Sequence, residues 1–214
     1  MTAADLARQI VLDLPALAPR MTREAFVVSA SNAAALATLD AWTASGEPLL
    51  AICGPAGSGK THLLQILVRE SAGDGLLAID DIDRTDEPQE LLALVEQARS
   101  EGKRVALAGR GAPAAWSAGL KDLETRLNAA PRIALVEPDE ALLRAVILKL
   151  FRDRQLKTAP SVADYAVKRL QKTFAAAQAF VGALDAASIE KGGPAGLKLA
   201  REVVANLSEE PSRA

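Results

Sequence analysis

Four short apolar runs punctuate the first two thirds of the chain, at Leu49–Cys53, Leu76–Ile79, 105–108 and 133–136. A continuous run of this length, bounded by turn or charged residues, is the pattern of a strand buried on both faces. Between the runs, apolar residues recur at helical spacing over 61–70, 91–99 and 120–127. Ahead of them, 31–42 reads as a further helix, with Ala35, Leu36, Leu39 and Trp42 on one face and Ser29 or Ser31 placed to cap it. Strand and helix in alternation predict an α/β fold, a parallel sheet with flanking helices.

After Pro138 the strand signal stops. Leu142, Leu143, Val146, Ile147, Leu150 and Phe151 form the stripe of an amphipathic helix, and 161–174, 176–188 and 195–207 continue the helical pattern. A boundary is expected near 137–139, between an α/β domain over 21–137 and a small all-helical domain over 138–214. Residues 1–20 read as a tail, mildly apolar at first and then broken by Pro15 and Pro19. The last few residues are expected to fray.

Composition narrows the classes. The 214 residues make about one and a half times a ~150-residue domain, which suits one main domain and a smaller one. With 50% hydrophobic and 24% charged residues the chain reads as soluble and globular. Aromatics are only 3% against 44 alanines, so the cores must be built from small and branched aliphatic side chains. A net charge of −2 excludes a broad electrostatic footprint for a nucleic-acid backbone. Cys53 is the single cysteine and His62 the single histidine, which excludes an internal disulfide and the usual zinc constellations. The expected compartment is a reducing cytoplasm. No apolar run approaches the roughly 18 residues of a membrane span, and Asp5, Arg8 and Asp13 interrupt the N-terminal stretch that a signal peptide would need unbroken.

Chemistry enters at 54–61. The sequence GPAGSGKT, Gly54, Pro55, Ala56, Gly57, Ser58, Gly59, Lys60 and Thr61, satisfies the P-loop pattern and sits between an expected strand and an expected helix. Its glycines let backbone N–H groups converge on phosphate oxygens, and the helix N-terminus adds a favourable dipole. Lys60 reaches the β- and γ-phosphates, and Thr61 offers its hydroxyl to Mg²⁺. ADP or ATP with Mg²⁺ is therefore the expected ligand, with His62 packing near the nucleotide. The run LLAIDDID ends in Asp80 and Asp81, at the C-terminal end of the second strand, where α/β sheets bind ligands. Asp80 would hold Mg²⁺ through water, and Asp81 would orient or deprotonate the attacking water. The plainer alternative is a solvated acidic strand end, with Asp83 as one more charge.

The pairing of GPAGSGKT with IDDI, preceded by FVVSASNAAAL and followed by TRLNAAPRIALVEPDEALLRAVI, resembles the AAA+ ATPase module of the bacterial DnaA family over about 24–207. The helical pattern is expected to form the family's lid with no DNA-box-reading helix-turn-helix domain behind it, and in this the chain is similar to the short, DnaA-related Hda regulators. Gln9, Leu12, Leu14 and Pro15 fit the short Q-x-x-L-x-[LF] pattern with which partners dock on the sliding clamp, and the resemblance implies such a motif at the N-terminus. In an extended tail Gln9 would be the hydrogen-bonding anchor and Leu12 and Leu14 the apolar plugs; the alternative is a segment packed on its own domain. Arg126 stands where the DnaA family carries its arginine finger, which implies action in trans on ATP bound to DnaA. The alternative is a surface charge paired with Asp122, one helical turn before it.

Three departures from the family also stand out. Lys60 to Asp80 leaves room for one helix and a turn, so the family's additional edge strand and its single-strand-contacting segment should be missing. Arg110 in VALAGRGAP takes the position of an acidic residue, and Ala175 that of the sensor-2 arginine. Binding parts are kept and hydrolysis helpers lost, so intrinsic ATPase activity should be weak or absent. The expected function is a nucleotide-binding regulator of replication initiation that docks on the sliding clamp and promotes ATP hydrolysis by DnaA, with no sequence-specific DNA binding and a homodimer left open. The alternative is a non-catalytic adaptor, helicase-loader-like, using nucleotide only structurally. Cys53 reads as a small core residue, and Trp42 and Trp116 as helix-face anchors, with an interface role open for Trp116.

Overall fold

The computed structural model describes residues 21–71, 75–85 and 87–209. The first apolar run forms β1, Leu49–Cys53, buried at every position. β2 is Leu76–Ile79, β3 Arg104–Gly109 and β4 Arg132–Ala134. All pairings are parallel and the order is β2-β3-β1-β4, so β1 and β3 are interior and β2 is an edge. Among the described residues the sheet has four strands, with β2 at one edge and β4 at the other.

Because side chains alternate along a strand, β1 serves two cores. Leu50 and Ile52 pack with helices α1, Ala33–Ser45, and α2, Lys60–Glu70. Leu49, Ala51 and Cys53 face α3, Pro88–Ser100, and α4, Lys121–Ala129. Trp42 sits on the buried face of α1 as the pattern predicts, and its indole donates to the Leu49 carbonyl at 3.2 Å. Arg104, the first residue of β3, lies over the Trp42 ring at 3.5 Å and donates to the carbonyls of Trp42 at 2.5 Å, Thr43 at 3.1 Å and Glu47 at 3.2 Å. One guanidinium thereby closes the C-terminal end of α1. The expected serine cap is corrected: Asn32 takes the N-cap position, and the hydroxyls of Ser29 and Ser31 bond each other. Trp116 is not on a helix face. It is buried in a 3₁₀ turn, Pro113–Ser117, among the residues of the second core.

The chain divides into two compact units, with Glu137 opening the second. Val27–Ser31 also belongs to the second unit, a return of the chain that the expected linear boundary did not contain. This unit is all helical: α5, Glu140–Asp153; α6, Pro160–Val167; α7, Phe174–Lys191; and α8, Leu197–Glu209. Its core joins Phe151, Phe180 and Leu143 to fully buried alanines at 163, 166, 177 and 200, so the abundant alanine lets backbones approach closely. The single helix expected over 161–174 is corrected to a break after α6. Thr173 adopts extended backbone and its hydroxyl accepts from Ala176 N–H at 3.1 Å, which starts α7 afresh. Among the described residues no helix is long and apolar enough to cross a membrane.

Candidate functional site

β1 runs into the loop 54–61, and α2 begins within it at Lys60. Gly57 and Gly59 take φ of 70° and 98°, the left-handed region that glycine enters without strain. Gly54 is fixed by space: a Cβ there would lie 2.7 Å from the Leu135 carbonyl oxygen and 2.8 Å from Ser58 Oγ. Lys60 is only 6% exposed, and its ammonium donates to the carbonyls of Gly54 at 2.9 Å and Pro55 at 2.8 Å. Burial pushes this ammonium below its ordinary pKa, against the opposing pull of Asp80, Asp81 and Asp83. Ser58 Oγ is buried without a hydrogen-bond partner, a costly state for a hydroxyl. An orphaned donor and a buried cation at the positive end of a helix fit a phosphate group.

The same residues fit Mg²⁺ when phosphate is present. Thr61 Oγ1 donates to Asp80 Oδ2 at 2.6 Å, which brings a hydroxyl and a carboxylate together at the ends of α2 and β2. No cluster of three or more His, Cys, Asp or Glu side chains suited to a metal occurs among the described residues. The remaining ligands of an octahedral magnesium ion would be phosphate oxygens and water.

Asp81 has φ of 50° and caps a 3₁₀ turn, Ile82–Arg84. Its amide donates to Asp80 Oδ1 at 2.9 Å, so both carboxylate oxygens of Asp80 are held. Its own carboxylate is half exposed and lies 3.5 Å from Arg84. Asp83 reaches across to the end of β3, where it accepts the Arg110 N–H at 2.8 Å. Trp116 donates its indole N–H to the Arg110 carbonyl at 2.6 Å. Between them a Cβ at Gly109 would meet Ile82 at 2.8 Å and the Trp116 ring at 3.0 Å. The Asp83 and Trp116 clamp escaped the sequence reading: its only signal is a Gly–Arg–Gly stretch leaving a buried strand, and strand order is not written in one dimension.

Arg126 lies at the other end of the sheet. It occupies the last turn of α4, just before β4, and lines a cavity of about 250 Å³ with Pro48 and Leu49 at the start of β1, Val95, Arg99 and Pro131. Its guanidinium donates to Glu96 on α3 at 2.8 Å, so the intrachain partner is Glu96 and not Asp122. His62 faces the N-terminal segment, its Nε2 2.9 Å from the Thr22 carbonyl and its ring edge-on to Phe26 at 5.1 Å. Arg23 ties that segment to Glu70 at 2.6 Å and Asp40 at 2.7 Å. Cys53 is buried, and burial pushes its thiol up. Ala175, near the start of α7, belongs to the second unit. Gln9, Leu12, Leu14 and Pro15 lie outside the described residues.

No protein-family model and no curated protein matches the chain. Solved structures do. Domain III of the Thermotoga maritima replication initiation protein DnaA is similar with a TM-score of 0.76 and 20% identity, over 90% of this chain and 98% of that one. A replication initiator DnaA bound to AMPPCP and single-stranded DNA gives 0.67 and 19%, over 83% and 70%. The Thermotoga maritima RuvB Holliday junction branch migration motor gives 0.65 and 15%, over 83% and 68%. At such identities the likeness speaks for the fold alone: the chain has the parallel sheet, flanking helices and helical second unit of the AAA+ P-loop NTPase fold.

Proposed function

We propose that this chain is a nucleotide-binding AAA+ regulator of replication initiation in the cytoplasm, which docks on the sliding clamp through Gln9, Leu12, Leu14 and Pro15 and promotes ATP hydrolysis by DnaA, as the Hda proteins do. Nucleotide binding is supported by the loop around Lys60, with its orphaned Ser58 hydroxyl and the Thr61–Asp80 pair. In that site Lys60 and the loop amides hold the phosphates, Thr61 and Asp80 position Mg²⁺, and Asp81 stands nearest to a water-orienting role. Mg²⁺ supplies neutralisation of phosphate charge. The observation that carries the trans role is the placement of Arg126. β1 separates its two ends by roughly 13 Å of strand, with the P-loop at one end and Arg126 at the other. Arg126 thus lies at the end of the sheet away from its own chain's P-loop, and would reach a neighbour's nucleotide by leaving Glu96.

The decisive experiment measures hydrolysis of DnaA-bound ATP with clamp-loaded DNA. Added protein is expected to accelerate it, and Arg126→Ala to abolish the gain. Acceleration that survives Arg126→Ala would remove the finger assignment. A second reading, an adaptor using nucleotide only structurally, is favoured by the Arg126–Glu96 ion pair, which gives the arginine a partner within its own chain. It predicts no acceleration at all.

A further inference from the structure

The net charge of −2 is unevenly shared: the first unit carries 13 Lys and Arg against 17 Asp and Glu, and the all-helical second unit 12 against 10. Within the second unit the cations fall into two sets. Arg144, Lys149 and Arg154 are tied to Asp164, Asp153 and Asp185. Arg169 and Arg201 are exposed and have no carboxylate partner among the described residues.

What gathers these two arginines is a ring. Tyr165, the single tyrosine of the chain, lies on α6, which packs against α8. The Arg169 guanidinium, just past the end of α6, lies over that ring at 3.9 Å from its centre, and the Arg201 guanidinium on α8 stands at 5.9 Å. A guanidinium held over an aromatic face keeps its in-plane N–H fork at the edge, open to a further acceptor. Arg169 spends one donor locally, on the Tyr165 carbonyl at 3.3 Å. Lys198, one turn before Arg201 on α8, adds a third exposed charge. The carboxylates nearest in sequence, Asp164 and Glu202, are taken by Arg144 and Lys191, so neither neutralises the pair.

The geometry points to Arg169 and Arg201, gathered by Tyr165, as a contact for the phosphodiester backbone of double-stranded DNA, made without regard to base sequence. Forked donors match phosphate oxygens, and a backbone contact needs only charge and donors. A protein partner would call for an apolar centre as well, and among the described residues no large apolar side chain is exposed on α6 or α8. A single strand would call for an aromatic face on which bases stack, and Arg169 already covers the Tyr165 ring. The inference stands apart from the nucleotide site, and it leaves untouched the expectation that the chain reads no DNA sequence.

The test is fluorescence anisotropy of labelled DNA duplexes of two unrelated sequences, titrated with the full chain from about 50 to 200 mM salt. Both duplexes should bind within about twofold of each other. The double variant Arg169→Ala with Arg201→Ala is expected to lose about tenfold or more in affinity at the lowest salt, and its slope of log affinity against log salt should shrink by about two, one for each lost phosphate contact. Lys149→Ala with Arg154→Ala removes the same charge from ion-paired positions and should leave that slope unchanged. Tyr165→Leu keeps the charges and loses the ring, so affinity should fall a few-fold at an unaltered slope. Melting curves check that each variant folds. No binding at about 50 mM salt, a double arginine variant equal to the unaltered chain, or an equal loss in the lysine–arginine control overturns the assignment. Capture of poly-glutamate but not of duplex through the same two arginines also overturns it, and gives the surface to an acidic protein.

Discussion

Thr61→Val separates the observed hydrogen bond of the Thr61 hydroxyl from its proposed role at Mg²⁺. Valine keeps the shape of threonine and removes the donor of the 2.6 Å bond to Asp80. A hydrogen bond to a charged acceptor contributes about 1.5–3 kcal/mol, but both partners are only partly buried, so about 1 kcal/mol of stability should be lost without nucleotide. That corresponds to a fall of a few degrees in melting temperature. The larger effect is expected on metal-dependent binding. In EDTA, ADP relies on Lys60, Ser58 and the loop amides, none of which the substitution touches, so affinity should change by no more than about twofold. If Thr61 and Asp80 hold Mg²⁺ as proposed, the metal would lose one oxygen ligand and Asp80 the group that orients it, changes that typically weaken a metal site by about 10–100-fold. Calorimetric titration of both proteins with ADP, with and without Mg²⁺, yields the enhancement each derives from the metal. That enhancement should collapse in the variant. If it is undiminished, Thr61 does not hold the ion; if affinity in EDTA falls equally, the hydroxyl acts by shaping the loop.

Two further outcomes concern the sheet unit. Arg104→Ala removes the stack on Trp42 and three donated hydrogen bonds, and should cost about 2–3 kcal/mol, read by urea denaturation followed through tryptophan fluorescence; Arg104→Lys should recover less than half. Cys53 should alkylate far more slowly in native than in unfolded protein, because burial raises the thiol pKa. The folded state then holds a proton that the unfolded state releases above about pH 8.5, so this contribution is complete below that pH and is lost as pH rises towards the folded value. The stability of wild type relative to Cys53→Ala should decline across that range; a flat difference would argue against it.

The sheet was legible because its strands are buried on both faces, so their apolar runs stand out without reference to partners: β1 and β2 end where the sequence places them. The P-loop was legible because its chemistry is local. What the chain does not show in one dimension is anything that depends on strand order. Arg104 closing α1, Asp83 gripping Arg110 and Glu96 pairing with Arg126 span 62, 27 and 30 residues. Each was invisible until β3 was placed between β1 and β2, or α3 beside α4. The break before α7 failed for a different reason. Apolar spacing over 161–174 stays helical, but Thr173 offers a better hydrogen bond as a cap than as a helix interior residue. The return of Val27–Ser31 to the second unit has no local signal at all.

Intrinsic ATP hydrolysis is where these details combine. Fast phosphoryl transfer needs a water held by a positioned base and cations fixed around the transferring group. Asp81 is the carboxylate nearest to that task, yet it is half exposed and lies against an exposed Arg84 at 3.5 Å, in contact with solvent that competes for the same water. Arg110 is only loosely tethered, its Nε 3.8 Å from Asp83 Oδ2, and preorganisation is what gives electrostatic groups their catalytic effect. Arg126 stands at the far end of the sheet. The proposed site is therefore better suited to binding than to cleavage, and steady-state turnover by the purified protein should stay well below about one per second. A coupled phosphate-release assay decides this. Turnover on the order of one per second or faster, abolished by Asp81→Asn, would mean that Asp81 is held as a working base in the nucleotide-bound state and that the trans role of Arg126 is not needed for hydrolysis.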